Sequence, residues 1–136
     1  MLGICVGMQI LTEVGFENGT HSGLSILKGK VVHLSELGFS NYLRIPNMGW
    51  SMVSQLNQDL ETELFRGLHE TFYAYFAHSY AAEIDSLKIV TSYLDAPLKK
   101  ITASIQSENV FGVQFHPEKS GLVGLRIVEN FLRIES

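Results

Sequence analysis

The chain has 136 residues, of which 46% are apolar and 18% charged, so it has the length of one domain and is too apolar to be disordered. Ten basic residues against fourteen acidic ones give a formal net charge of −4, which excludes a broad basic face for nucleic acid. The single cysteine, Cys5, excludes an internal disulfide framework, and the chain lacks both a Cys/His cluster for structural zinc and a run of about 18 apolar residues for a membrane span, so we expect a cytoplasmic domain without metal.

The first half of the chain alternates apolar runs with polar turns. Its glycines are scattered as turn residues and do not form a linker, so no domain boundary is predicted. The predicted elements are, in order, a buried strand end at 1–7, a short helix at 8–14 that ends at Gly15, a polar loop at 17–25, a strand at 29–34 and a strand at 42–45 that breaks at Pro46.

The second half is rich in β-branched and aromatic residues, which are typical of strands. A helical turn is predicted at 61–68, followed by strands at 71–80, 89–93, 101–106 and 110–115. The segment 121–134 is predicted to be a closing amphipathic helix whose inward face carries Leu122, Leu125, Ile127, Val128, Phe131 and Leu132. Helices at both ends of a strand-rich chain predict an α/β fold with a sheet flanked by helices.

Gly3, Cys5 and Gly7 have the spacing of a nucleophile elbow, a tight turn between a strand and a helix. Side chains two residues either side of the nucleophile collide in such a turn, and glycine at both positions removes the collision. The helix N-terminus is expected to lower the pKa of the Cys5 thiol, and the Val6 N–H is expected to face a developing oxyanion. The alternative interpretation is that Cys5 is a small buried hydrophobic residue.

A nucleophilic cysteine needs a base, and His116 is the best candidate among five histidines. Pro117 ends the strand before it, and Glu118 lies two residues on, where an extended backbone would put both side chains on one face. Glu118 could then orient one imidazole nitrogen while the other faces the thiol. The alternative interpretation is an ordinary turn after a strand. His21, His33 and His69 are interpreted as solvated, and His78 as a residue of the core or one that bonds to the backbone.

Four blocks stand in a characteristic order: GICVGMQ at 3–9, PNMGW at 46–50, HSY at 78–80 and GVQFHPEKS at 112–120. From residue 2 onward the chain resembles the triad class of glutamine amidotransferases, and the second block is similar to that of the glutaminase subunits of imidazole glycerol phosphate synthases. The resemblance implies the C-terminal part of the flavodoxin-like sheet of a class I glutamine amidotransferase, flanked by helices.

The resemblance also implies roles for individual residues and no cofactor. Cys5 would attack the side-chain amide carbon of glutamine, His116 would pass the proton to departing ammonia, and Glu118 would orient His116. The positions that match substrate-binding segments are Gln9, Glu17, His78, Ser79 and Tyr80. The positions that match a surface facing a (β/α)₈-barrel cyclase, which would form a heterodimer with this chain and use the ammonia, are Pro46, Asn47, Met48, Trp50 and Lys119.

Members of the class carry a substantial part of the domain before the nucleophile turn, including the loop that donates a second oxyanion N–H. This chain begins four residues before Cys5, so we expect residues 1–136 to be an amidotransferase type-1 domain truncated at its N-terminus. By themselves they are expected to be unstable and poorly active.

Three functions stay open at this point. The first is a glutaminase that feeds a cyclase in histidine biosynthesis. The second is a related glutaminase that feeds a sugar-modifying synthase in surface-polysaccharide biosynthesis. The third is a truncated chain that binds a partner without catalysis.

Overall fold

The structure is a computed structural model that describes residues 1–38, 44–56, 62–96 and 99–134. Within these ranges the chain alternates strands with short helical segments. In chain order the elements are β1 (Leu2–Ile4), α1 (Val6–Gln9), β2 (Val14–Gly15), β3 (His21–Ser22), β4 (Gly29–His33), β5 (Asn47–Gln55), β6 (Thr71–His78), β7 (Tyr80–Ile84), β8 (Val90–Leu94), β9 (Ile101–Ser107), β10 (Val110–Val113) and α2 (Gly121–Arg133).

The strands form two sheets. The larger has the order β1-β10-β9-β8-β5-β6, and the smaller has the order β3-β2-β4-β7. In the larger sheet β1 lies parallel to β10, and the other neighbouring pairs are antiparallel. The parallel pair matters for the site, because the carboxyl ends of two parallel strands meet at one edge of a sheet.

Strand β10 contributes to two apolar cores. Phe111 and Val113 belong to the core that includes Ile127 of α2. The opposite face of the strand packs on α1, where a Cβ added at Gly112 would lie 2.8 Å from the Met8 Cγ. A sheet with a helix on each face is the α/β arrangement that the sequence predicted.

The segment predicted as one strand at 71–80 is two strands in different sheets. β6 pairs with β5 in the larger sheet, and β7 pairs with β4 in the smaller one. The chain passes from one sheet to the other at Ser79, whose carbonyl accepts a hydrogen bond of 2.9 Å from the Leu34 N–H. Aromatic residues, which are typical of strands, occur on both sides of Ser79, so the composition carried no signal for this crossover.

The predicted helix at 8–14 is wrong in length, because α1 ends at Gln9 and Gly15 belongs to β2. The carbonyls of residues 10–12 accept hydrogen bonds from the backbone of residues 24–27, so they cannot continue the helix. A Cβ at Gly23 would lie 2.0 Å from the Thr12 carbonyl oxygen, which shows how closely the two segments approach. The polar loop predicted at 17–25 contains the two residues of β3.

The prediction of a strand at 42–45 that breaks at Pro46 is also wrong for the residues that the structure describes. Residues 44–46 are not in a strand, and β5 begins directly after the proline. Proline lacks an N–H for a ladder hydrogen bond and is tolerated just ahead of a strand. Residues 42 and 43, like residue 61 of the predicted helical turn, lie outside the described residues, and the described part of that turn is a 3-10 helix at Glu63–Phe65.

Helix α2 ends within one residue of its predicted bounds, and its predicted inward face is correct at Ile127 and Phe131, which lie in or against the core, but wrong at three leucines. Its buried residues are Gly124, Ile127 and Asn130, whereas Leu122, Leu125 and Leu132 are exposed. A Cβ at Gly124 would lie 1.8 Å from the Pro117 carbonyl oxygen, so the helix approaches the preceding turn on its glycine side. The described helices include none that is long and apolar enough to cross a bilayer.

Candidate active site

The turn between β1 and α1 holds Cys5 in a strained conformation. Its φ of 51° and ψ of −110° lie where non-glycine residues rarely occur, at a cost of about 1–3 kcal/mol. The backbone fixes it from both sides, because its N–H donates to the Val113 carbonyl at 2.8 Å and its carbonyl accepts from Met8 and Gln9. A Cβ at Gly3 would lie 2.5 Å from the Gly7 oxygen, so the turn requires glycine at position 3.

Gly7 does not have the role predicted for it, because a Cβ there meets no described atom within 4 Å. The predicted lowering of the Cys5 pKa is also wrong. Burial raises the pKa of this thiol, and the charges of Glu118 and Glu17 raise it further, while hydrogen bonds from the Val6 N–H and from Gln114 oppose the rise. α1 has only four residues, so few peptide dipoles are aligned at Cys5.

His116 and Glu118 are paired as predicted. His116 Nδ1 lies 2.6 Å from the Glu118 Oε1. Since a carboxylate only accepts, the Nδ1 carries the proton and leaves Nε2 of the neutral ring as a base. The contact forms in the 3-10 turn Pro117–Lys119, and not in the extended backbone that the sequence suggested.

The sheet brings Cys5 and His116 to the same edge. Ile4 is paired with Val113 in the parallel ladder, so Cys5 and the segment that leads to His116 leave the sheet side by side. The influence of Glu118 on the Cys5 pKa agrees with this proximity.

The backbone of His116 is hydrogen-bonded to β6, the last strand in the order of the larger sheet. Its N–H donates to the Tyr75 carbonyl at 2.8 Å, and its carbonyl accepts from the Ser120 Oγ at 2.6 Å. The same hydroxyl accepts from the Tyr75 N–H at 3.0 Å. The larger sheet is therefore curved, so that the segment after β10 contacts β6. Ser120 links the two segments through its hydrogen bonds to His116 and Tyr75.

A pocket of about 330 Å³ opens beside Cys5, within the usual range for small ligands. The five residues predicted to bind substrate all line it, namely Gln9, Glu17, His78, Ser79 and Tyr80. Val6, Pro46, Met48 and Ala77 complete the rest of its lining beside Cys5. The crossover at Ser79 supplies one wall, so the two-sheet arrangement creates the pocket.

Gln9 is buried, and its side-chain NH₂ is used within the protein. Its Nε2 donates to the Tyr80 carbonyl and to the Gln114 Oε1, both at 3.1 Å. The carbonyl oxygen of the Gln9 amide is therefore the atom left to accept a hydrogen bond from a ligand.

His78 is a buried neutral histidine. Its Nδ1 lies 2.8 Å from the Tyr80 carbonyl, which only accepts, so Nδ1 carries the proton and Nε2 accepts from the Asn47 Nδ2 at 3.1 Å. Burial lowers the pKa of His78, and the neighbouring His116 lowers it further, against an opposing hydrogen bond to Tyr80. Asn47, one of the positions predicted to face a partner, is half-buried, and its side-chain amide contacts His78.

Acidification is expected to destabilise the protein through His78. The unfolded chain binds a proton near the ordinary value of 6.5, whereas the folded chain binds it only at lower pH. Stability from this group is therefore complete above pH 6.5 and is lost as pH falls toward the lowered value. Urea unfolding at pH 7.5 and 5.5 should show a smaller acid-induced loss for His78→Gln, while His21→Gln, at an exposed histidine, keeps the full loss. Equal losses in all three proteins would contradict the assignment.

The remaining histidines, His21, His33 and His69, do not line the pocket beside Cys5. His33 Nδ1 lies 2.7 Å from the Ser35 Oγ and its ring contacts Tyr80 edge-on. His21 and His69 are exposed, in keeping with their interpretation as solvated residues.

One face of β5 and β6 is apolar yet exposed. Met48 is 64% exposed and Trp50 is 56% exposed. Trp50 is paired across the strands with Tyr75, its ring edge-on to the tyrosine at 6.2 Å between centroids. The Lys119 Nζ lies 5.7 Å from the centroid of the same tyrosine ring. We call Met48, Trp50, Met52, Tyr73 and Tyr75 the exposed face.

Two functional candidates were missed from the sequence. Gln114 contacts both Cys5 and Gln9, and Ser120 clasps His116 to β6. A glutamine between apolar residues at the end of a predicted buried strand was an available signal for the first. Ser120 had none, because one of its two partners, Tyr75, lies on a strand distant in sequence.

Comparison with known proteins agrees with this geometry. The model of the family "Glutamine amidotransferase class-I" matches residues 1–134. Among solved structures, PurLQS from Thermotoga maritima superposes with a TM-score of 0.65, at 20% identity, over 96% of this chain and 59% of the other. A glutamine amidotransferase from the same organism superposes with a TM-score of 0.59, at 18% identity, over 96% of this chain and 46% of the other. The chain belongs to the class-I glutamine amidotransferase family.

Within the family, the chain is similar to proteins named imidazole glycerol phosphate synthase subunit HisH. It is 42% identical over 135 residues to that of Salinibacter ruber, covering 96% of this chain and 59% of the relative. It is 43% identical over 136 residues to that of Bacillus subtilis, covering 98% and 61% respectively. The chain thus spans about three fifths of the length of these relatives.

Proposed function

We propose that this chain is the catalytic part of a glutaminase that hydrolyses glutamine to glutamate and ammonia. We propose further that a (β/α)₈-barrel cyclase in histidine biosynthesis receives the ammonia, as the similarity to HisH proteins suggests. The observation that carries the first proposal is the juxtaposition of a strained cysteine turn with the His116–Glu118 pair at one sheet edge.

The reaction begins with the transfer of the Cys5 proton. Because burial raises the pKa of the thiol, Cys5 is protonated at neutral pH, and Nε2 of His116 takes its proton as the sulfur attacks the amide carbon of glutamine. The Val6 N–H faces the sulfur and would hold the oxyanion that forms. His116 then gives the proton to the leaving nitrogen, which departs as ammonia and leaves a thioester.

Hydrolysis of the thioester completes the cycle. A water molecule attacks the carbonyl carbon and passes a proton to the His116 Nε2, which returns it to the sulfur as glutamate leaves. The carboxylate of Glu118 stabilises the imidazolium that appears in both halves of the reaction. No redox step and no further reactant is needed.

The pocket beside Cys5 suits the amino-acid end of glutamine. The Glu17 carboxylate and the Gln9 carbonyl oxygen are acceptors for an ammonium group, and both residues line the pocket. The backbone at Ser79 and Tyr80 would line the opposite side. A glutamine bound there would place its amide toward the sulfur.

The exposed face is the proposed docking surface for the synthase. Its members are apolar and aromatic, and such residues are unusual at the surface of a strand unless a partner covers them. Met48 belongs both to this face and to the lining of the pocket, so a partner docked here would close over the place where ammonia is released.

Two assays with a barrel cyclase test the proposal. Glutamate release is expected with the cyclase present, together with incorporation of the released nitrogen into the cyclase product when amide-labelled glutamine is supplied. Glutamate release without incorporation would support the glutaminase but overturn the cyclase assignment. A protein that binds the cyclase and releases no glutamate would overturn the catalytic proposal.

Trp50→Ala is expected to weaken synthase binding about tenfold or more, because truncation of a central aromatic removes a large contact area. Leu87→Ala is a matched control, since Leu87 is also highly exposed but lies before β8, away from the exposed face. Calorimetric titration of each variant with the cyclase measures the dissociation constants. Equal affinities for the two variants would move the interface elsewhere.

A further inference from the structure

Gln114 is a fully buried amide, with 0% of its surface exposed. It directly follows β10, where its N–H donates to the Ala103 carbonyl at 2.8 Å. Its side chain makes two contacts, and both lead to the site. The Nε2 donates to the Cys5 Sγ at 3.5 Å, and the Oε1 accepts from the Gln9 Nε2 at 3.1 Å.

An amide at this position is costly unless its hydrogen bonds are needed. Its neighbours Val113 and Phe115 are completely buried apolar residues, and an apolar side chain would fill the same space without the desolvation penalty of an amide. The two hydrogen bonds satisfy the group, and their partners are the proposed nucleophile and a pocket residue. An amide with a purely structural role would not need these two partners.

We propose that Gln114 is a second hydrogen-bond donor to the nucleophile, one that holds the Cys5 sulfur as its charge develops and fixes Gln9 at the pocket wall. The inference rests on the proposed role of Cys5. The sulfur would then have two donors, the Val6 N–H and the side chain of Gln114. Gln114 follows β10, and the register that pairs Ile4 with Val113 places it beside Cys5.

The physical effect follows from the charge of the sulfur. An N–H donor stabilises a thiolate more than a thiol, because a hydrogen bond to an ion is stronger than one to a neutral group. The bond therefore opposes burial and the negative charges of Glu17 and Glu118, which raise the Cys5 pKa. Two further titratable residues, His78 and Tyr80, line the pocket beside Cys5, and His116 follows β10 at the same end of the sheet.

The test is the pH dependence of Cys5 alkylation by iodoacetamide. Cys5 is the only cysteine, so total thiol loss reports on it, and neither glutamine nor a synthase is involved. Failure of the proposed glutaminase would therefore leave this measurement intact. Gln114→Met keeps the length of the side chain and removes both hydrogen bonds, and it should move the midpoint of the rate profile upward by about 1 pH unit.

Gln114→Glu is the second variant, since it keeps an acceptor for Gln9 but puts a negative charge beside the sulfur. It should move the midpoint further upward than Gln114→Met. Asn130→Leu is the matched control, because Asn130 is also a buried amide but donates to the Leu64 and Arg66 carbonyls. It should leave the midpoint unchanged. An unchanged midpoint in folded Gln114→Met, or an equal shift in Asn130→Leu, would overturn the proposal.

A measurement on the native protein covers the case in which the Gln114 variants do not fold. The side-chain ¹⁵N–¹H resonances of Gln114 should titrate with the same midpoint as Cys5 alkylation, because the donor senses the charge on the sulfur. Resonances that do not move across that midpoint would exclude the contact.

Discussion

Cys5→Ser is expected to lower glutamine hydrolysis by about 10⁴-fold or more while leaving the fold unchanged. Serine has nearly the same volume, and the Cys5 side chain is buried within a turn whose shape is set by the backbone and by Gly3. The loss is large because a hydroxyl in this position is a much weaker nucleophile than a thiol, and the residues that remain supply only binding and oxyanion stabilisation. Glutamate release measures the loss of hydrolysis, and thermal unfolding of the same preparations measures whether the fold is unchanged.

An electrophilic analogue of glutamine provides the matching chemical test. It should label Cys5 in the native protein, and excess glutamine should protect against labelling by competing for the pocket. Peptide mapping would locate the label. Hydrolysis that survives in Cys5→Ser, or a label on another residue, would show that the nucleophile has been misassigned.

His116→Ala is expected to lower the turnover number about 10²–10⁴-fold, because it removes the proposed acceptor and donor of the proton. Glu118→Gln should be less damaging. It keeps a hydrogen-bond acceptor near the Nδ1, 2.6 Å away in the native pair, but removes the charge that stabilises the imidazolium. Steady-state assays of both variants compare the two losses in turnover number. A larger loss in Glu118→Gln than in His116→Ala would show that the roles of base and orienting carboxylate are misassigned.

Glu129→Gln is the control for the removal of one negative charge. Glu129 lies on α2, partly exposed, in an ion pair with Arg126 at 3.8 Å, and exposed pairs of this kind contribute little. Turnover in this variant should match that of the native protein. A loss equal to that of Glu118→Gln would indicate a general effect of net charge and not the orientation of His116.

The contacts within the candidate site were predictable from sequence wherever they depend on near neighbours. Gly3 and Cys5 lie in one turn, and His116 and Glu118 are two residues apart, so their contacts follow from local geometry. The strands at 29–34, 89–93 and 101–106 were predicted to within one or two residues for the same reason. Such elements are defined by alternation of side chains along a short run.

Errors arose where a partner distant in sequence decides the outcome. The helix after Cys5 ends early because residues 24–27 take its carbonyls. α2 turns Gly124 and Asn130 inward, since the glycine allows close approach to Pro117 and the asparagine satisfies the Leu64 and Arg66 carbonyls. A pattern based on large apolar residues cannot predict either contact.

By itself, the sequence pointed to Cys5, His116 and Glu118 as candidates for a nucleophile, its base and the carboxylate that orients the base. Only the tertiary structure decided how these groups are tuned. The pKa of Cys5 is raised and not lowered, chiefly because the thiol is buried. Likewise the pocket exists because the chain changes sheets at Ser79, and Gln114 reaches the sulfur because β1 and β10 are paired in register. Burial and strand register arise from contacts between distant segments, and no local pattern of residues encodes them.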